Sequence, residues 1–343
     1  MEEKIDKKSR IEYLDIARGI AIILMVAGHV FYYDIYWEVI FSFHMPIFVI
    51  ISGMFFKYTE SFKEYILKMI KKLFVPYVIG VCIVSTARNL IVGENISIIP
   101  QVLLGYSNFK SLFYNTESVG ALWFVPYLIV IKIMYYVVYK ELQISDKFLT
   151  IECLIILIVG LCFKNNEIYL PWSIDIALAT MIFYHIGYLI KKYNILEKWM
   201  NDYKIMLIFL VVWIIGIKYT DLELAVRIYS IPAFITAFCG SMVLIKVSHF
   251  IQKYIKLIGK ALKWCGKNTI IILIAHYYEY KVFEYEGTDL EIFAKKIAFV
   301  IIVAVLVNII KILFEKVSEK YNLDNIFKNK QREGEKLEKK LQQ

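Results

Sequence analysis

The sequence predicts an all-α protein, a polytopic membrane bundle of about ten transmembrane helices. Its 343 residues are 59% hydrophobic, with a mean hydropathy of +0.58, whereas a soluble domain is about half apolar. Runs of sixteen or more largely uncharged residues recur along the whole chain, close to what a hydrocarbon core of ~30 Å demands. Lipid offers no partner to open backbone groups, so such runs must be helical. The third observation is a bias of basic residues between alternate loops, which also sets the orientation.

Taken in order, the apolar segments fall at 16–34, 39–56, 73–93, 120–139, 148–163, 171–190, 203–219, 225–246, 268–283 and 297–314. The first opens behind Asp15 and Arg18 and has no small-residue cleavage site, so it is read as a span rather than a cleaved leader. The second carries His44, Pro46 and Gly53. The fifth is the shortest, and the ninth is interrupted by Glu279 and Lys281. Between the second and third, residues 57–72 place Phe62, Tyr65, Ile66, Met69 and Ile70 at helical spacing opposite lysines. That pattern predicts an amphipathic helix on the membrane surface. The stretch 94–119 has the length of a partial lid. The reading is of one membrane domain over residues 1–320, followed by a charged cytoplasmic tail over 321–343.

With a cytoplasmic N-terminus, Lys and Arg number 30 on the cytoplasmic side and 8 on the other. This predicts an even number of spans with both termini inside. The net charge of +9 then records topology, and no nucleic-acid partner is expected. The five cysteines, Cys82, Cys153, Cys162, Cys239 and Cys265, lie in or beside apolar segments without ligand spacing. They read as packing residues, with no disulfide and no metal.

Chemistry concentrates in the first two segments. Asp15 and Arg18 are neighbours on a helix. At 100° per residue, His29 falls about 20° around from Arg18 and about 40° from Asp15, and roughly 21 Å above Asp15 along the axis. Ionisable residues inside a membrane are functional by default, so Asp15, Arg18 and His29 are candidate catalytic groups. Gly19, beside Arg18, lets another helix approach closely. If the chain turns near residues 36–37, His44 reaches the depth of His29. The two imidazoles there would share a proton, orient an acceptor hydroxyl or, least favoured because no Asp, Glu or Cys accompanies them, bind a metal.

Arg10, Leu14, Asp15, Arg18, Gly19, Ala21, Ile22 and His29, followed by FHMPIFVIISGMFF at 43–56, resemble the acyltransferase-3 family of integral-membrane O-acyltransferases. His44, Met45 and Pro46, with Leu122, Trp123, Phe124, Val125 and Pro126, look most like its fucose 4-O-acetylase-like branch. The resemblance implies acetyl-CoA or another acyl-CoA as donor and a glycan hydroxyl as acceptor. It makes His29 the base or acyl carrier, with His44 beside it. It places a basic pair before a proline at the inner end of the third span. Here that region holds Lys68, Lys71 and Lys72 ahead of Pro76, and lysine lacks arginine's bidentate fork. Arg10, Lys68 and Lys72 are the candidate CoA-phosphate residues. Arg88, Trp123, Tyr127 and the late-span His276 are candidate acceptor contacts. His185 and His249 receive no role.

The competing class is a transporter or flippase for a glycan or small metabolite. It predicts ionisable residues near the midplane of several broken helices, whereas most of the chemistry here sits in the first two segments. A non-enzymatic envelope scaffold would have no need of His29. Composition suggests a bacterial plasma membrane, and the oligomeric state is not legible.

Overall fold

The computed structural model describes residues 11–31, 35–107, 117–141, 145–164 and 169–320. Arg10 and the charged tail beyond residue 320 lie outside them. Among the described residues the chain is all-helical, and the only β pairing is an isolated bridge between Glu223 and Ile228.

Helices occupy each of the ten apolar segments. In chain order they run α1 (Glu12–Gly28), α2 (Ile35–Phe41), α3 (His44–Met54), α4 (Phe62–Met69), α5 (Val75–Ala87), α6 (Ile98–Leu104), α7 (Phe124–Glu141), α8 (Asp146–Leu161), α9 (Ile174–Lys192), α10 (Ile195–Asn201), α11 (Tyr203–Tyr219), α12 (Ile231–Tyr254), α13 (Lys256–Lys267), α14 (Thr269–Val282) and α15 (Asp289–Lys320). Among the described residues, five helical stretches are long and apolar enough to cross a membrane by themselves, or six if α10 and α11, bent by 88° at Asp202, make one span. The helices of the first, third, fifth and ninth segments fall short of that length. α1 has 17 residues, α5 13, α8 16 and α14 14.

Local chemistry explains the boundaries. Ser61, Ser145, Asp202 and Ser230 each accept a backbone N–H of the turn they precede, starting α4, α8, α11 and α12. The amphipathic stretch at 62–69 does not stand apart as a surface helix. It runs into the third segment through a π-helical turn at Ile70–Phe74. No breaking residue intervenes, and Pro76, lacking an N–H, widens the helix there instead of ending it. Tyr65 and Met69 are buried, and the Tyr65 hydroxyl donates to the Lys132 carbonyl at 3.2 Å.

The helices meet through small residues. A Cβ on Gly19 would stand 1.9 Å from the Leu262 carbonyl oxygen, and one on Gly266 would stand 1.8 Å from that of Asp15. α1 therefore lies backbone to backbone on α13. Gly53 and Gly187 do the same for α3 and α9, each within 2.0 Å of a carbonyl oxygen of the other helix by the same measure. Such approach is how helices pack where water cannot drive them together.

The periphery is apolar. Only 11% of the most apolar stretch of α15 is buried, and Ile302, Leu306, Ile310, Leu313 and Phe314 are exposed along it. Leu207, Ile208, Val211, Ile214 and Ile215 do the same on α11. A surface this apolar is stable against lipid, not water.

Candidate active site

One cavity of about 590 Å³ opens between α1, α3, α4, α7 and α14. Lys57, Lys68 and Lys72 line it at one end, Arg18, Ser52 and Lys132 in its middle, and His29, His44 and Trp123 towards the other. A short segment after α11 adds Leu222, Glu223, Leu224 and Ala225 to its wall. Glu223 is the only carboxylate among these lining residues.

α1 supplies two groups on one stripe. Arg18 lies 3.6 Å from the Asp15 carboxylate, and its guanidinium donates to Thr269 Oγ1 at 3.4 Å. Asp15 is buried beneath it and does not line the cavity. His29 is the residue that ends the helix, not a member of its last turn. Eleven residues separate it from Arg18, roughly 16 Å of helical rise.

His44 opens α3. The expected turn at 36–37 is replaced by the short helix α2, and a break at Ser42 and Phe43 re-aims the chain. His44 Nδ1 lies 2.9 Å from the Ile40 carbonyl oxygen. A carbonyl only accepts, so Nδ1 carries the hydrogen and Nε2 keeps its lone pair in the neutral ring. The Phe41 ring stands against both imidazoles, with centroids 6.5 Å from His29 and 4.8 Å from His44.

Lys68 and Lys72, four residues apart on the α4 helix and its π-helical extension, share one face and both line the cavity, whereas Lys71 does not. Trp123 lines it as well. Tyr127 sits one turn further on, fully buried, with its hydroxyl 2.6 Å from Thr180 Oγ1 and off the cavity. Arg88 is also away from it, held between Glu94 and Glu117. His276 does not line the cavity but backs onto His29, with ring centroids 5.1 Å apart. The structure thus brings Arg18, His29, His44, Lys68, Lys72 and Trp123 to one cavity, with Asp15 and His276 behind it and Tyr127 and Arg88 elsewhere. Among the described residues no three His, Cys, Asp or Glu side chains converge as a metal site. His185 is a core histidine bonded on both sides, to the Tyr135 hydroxyl at 3.0 Å and Thr150 Oγ1 at 2.8 Å.

Sequence reasoning passed over Lys132. It lies midway along α7, and its ammonium donates to Ser52 Oγ at 2.9 Å and towards the Tyr184 hydroxyl at 3.5 Å. The signal was present, since a lysine inside an apolar segment is rare without a task. Glu223 was masked by its position in a loop. That loop is anchored at its far side, where Arg227 is fully buried, ion-paired with Asp175 and stacked on Tyr169 at 3.4 Å. Arg227 also holds a left-handed backbone at φ 64°, a strain its pairing must offset.

Fold and cavity together define a membrane-embedded helical protein whose cavity is lined by cations and by two histidines. The chain matches the family model described as Acyltransferase domain over residues 11–316 and belongs to this acyltransferase-3 family. It is a membrane acyltransferase, which favours the enzyme over the transporter among the expectations above. Searches of curated proteins and of solved structures found no match.

Proposed function

We propose that the chain is a ten-span O-acyltransferase of a bacterial plasma membrane, with both termini cytoplasmic. Its donor is cytoplasmic acyl-CoA, acetyl-CoA foremost, and its acceptor a hydroxyl of a cell-surface or lipid-linked glycan. The His44–Pro46 and Leu122–Pro126 motifs point to the fucose 4-O-acetylase-like branch. The observation that carries the reading is the cavity that lysines and the two histidines, His29 and His44, line together. The ten spans are supported by a helix in every apolar segment. The 17 residues of α1 cover about 25 Å at 1.5 Å per residue, enough for one slightly thinned crossing.

In this reading Lys68 and Lys72, with Arg10, hold the CoA phosphates as point charges. The thin pantetheine arm enters past Arg18 and Lys132 and brings the thioester to His29. The acceptor hydroxyl gives its proton to the His29 imidazole as its oxygen bonds to the thioester carbonyl carbon. The C–S bond then breaks, and the thiolate leaves with the proton from His29. Trp123 offers a face on which a sugar ring stacks, and Glu223 accepts hydrogen bonds from its remaining hydroxyls.

The test is purified protein in liposomes with labelled acetyl-CoA and candidate glycans. An alkali-labile label on the glycan is the expected result. Neither hydrolysis nor transfer with any acyl-CoA would overturn the reading.

Two variants separate the donor contacts from the acceptor contacts. Lys68→Glu combined with Lys72→Glu should raise KM for acyl-CoA about tenfold at low ionic strength, with the gap narrowing as salt screens the charges. A KM independent of the charge reversal would remove these lysines from donor binding. Glu223→Gln should raise the acceptor KM several-fold, because a neutral hydrogen bond is about 1 kcal/mol weaker than one to a charged group, with the donor KM unchanged. An equal rise in both constants would count against an acceptor subsite.

A further inference from the structure

Behind His29 lies a buried charged cluster that the mechanism above does not use. His276 Nδ1 is 2.9 Å from Glu279 Oε1, and Lys296 Nζ donates to both Glu279 oxygens at 3.1 and 2.8 Å. All three side chains are more than nine-tenths buried. Their spacing is helical. His276 and Glu279 are three apart on α14, and Lys296 reaches across from the neighbouring α15. A carboxylate only accepts from a neutral ring, so Nδ1 of His276 carries its hydrogen and Nε2 is left as an acceptor. The ring lies against that of His29, with centroids 5.1 Å apart and planes tilted by 32°.

Burying three ionisable side chains is costly and is seldom retained without a use. Packing alone would be served as well by apolar residues. The cluster adjoins the one group that must take up and release a proton in each turnover. Among the described residues, the titratable groups around His29 include His276 and Tyr280 from α14, His44 from α3 and Lys296 from α15. Glu279, through His276, is the only carboxylate among these groups and their bonded partners.

We propose that His276, Glu279 and Lys296 form a positioning and charge-balancing unit that acts through His29, a role that rests on His29 being the base. Glu279 fixes the tautomer and ring plane of His276. When His29 takes a proton, the new positive charge is met by the Glu279 carboxylate across His276. Between turnovers Lys296 holds that carboxylate, so no charge in the cluster stands unbalanced. His276 is thereby a positioning residue, not a sugar contact.

The proposal predicts opposite effects from two substitutions in one cluster. Glu279→Gln removes the negative charge and leaves Lys296 positive, which disfavours a proton on His29. Lys296→Met leaves the carboxylate uncompensated, which favours it. The ethoxyformylation rate of His29 against pH, read by peptide mass spectrometry after diethylpyrocarbonate treatment, reports its protonation without any turnover. Its midpoint should move down by about one pH unit in Glu279→Gln and up by a similar amount in Lys296→Met. The acid limb of the pH–rate profile for acyl transfer should move with it, at an unchanged KM for acyl-CoA.

The double variant Glu279→Gln with Lys296→Met restores net charge and should return the midpoint close to wild type. It also serves if a single variant fails to fold. Midpoints that stay in place, or move in the same direction in both single variants, would overturn the coupling. A moved midpoint with an unmoved rate profile would overturn the catalytic role. A wild type without any transfer would instead strike at the proposed function, while the modification data still decide whether the cluster governs the charge of His29.

Discussion

Replacing His29 by glutamine lowers the turnover of acyl transfer by about a thousandfold, with KM for acyl-CoA within twofold of wild type. The size follows from the task. A positioned general base contributes roughly 10² to 10⁴ in rate, and nothing beside His29 is placed to substitute for it. His44 lines the same cavity, but its Nδ1 is committed to the Ile40 carbonyl and its ring packs against Phe41. His276 lies behind, off the cavity wall. The unchanged donor KM follows from distance, because the lysines sit at the far end of the passage and Arg18 is roughly 16 Å away along α1. Glutamine matches the size and polarity of the ring, so thermal unfolding in detergent should be unaffected. Turnover within tenfold of wild type would remove His29 from the chemistry. A donor KM raised tenfold would mean that the donor site extends to the histidine end.

The helical segments and the first-helix stripe were legible because both rest on local, periodic signals. Ten apolar runs give ten helical regions, and the 3.6-residue repeat alone places Arg18 and His29 on one side of α1. The route from lysines to histidines is different in kind. It depends on α4 continuing through its π turn against α7, and on α1 lying against α13, neither of which any local pattern states. His276 stands out as a late-span histidine, yet Lys296, which shares its Glu279 partner, lies just ahead of the tenth apolar segment, where the sequence reads as loop. Only tertiary packing turns that charge inward to Glu279. Arg88 and Tyr127 drew attention as polar groups in apolar surroundings. Glu117, which joins the nearby Glu94 on Arg88, and Thr180, which bonds Tyr127, lie 29 and 53 residues away in sequence, as far as a catalytic partner would. A lone polar residue in an apolar run therefore does not distinguish a satisfied buried group from a cavity group, and Lys132 shows the same ambiguity from the other side.

The second large effect concerns position rather than chemistry. Gly266→Ala, a change of one methyl group, should destabilise the fold by about 3 kcal/mol, at the upper end of what overpacking costs. The added Cβ would stand 1.8 Å from the Asp15 carbonyl oxygen, 2.7 Å from its carbon and 3.0 Å from the Gly19 nitrogen. All three are backbone atoms, which no rotamer change can move aside, so α1 and α13 must separate. α1 carries Asp15, Arg18 and His29. Its displacement would also open the 3.4 Å bond from Arg18 to Thr269 and the approach of His29 to His276. Activity should therefore fall further than the loss of folded protein explains, and Gly266→Leu should prevent assembly outright. Gly259→Ala on the same helix is the control. Its Cβ would meet nothing nearer than 3.5 Å, an ordinary contact, and alanine favours the helix by roughly 1 kcal/mol over glycine. That variant should melt at or above the wild-type temperature with full activity. If Gly266→Ala melts with wild type and transfers at the wild-type rate, the seam between α1 and α13 is looser than the structure has it, and the alignment of Arg18 and His29 does not depend on it.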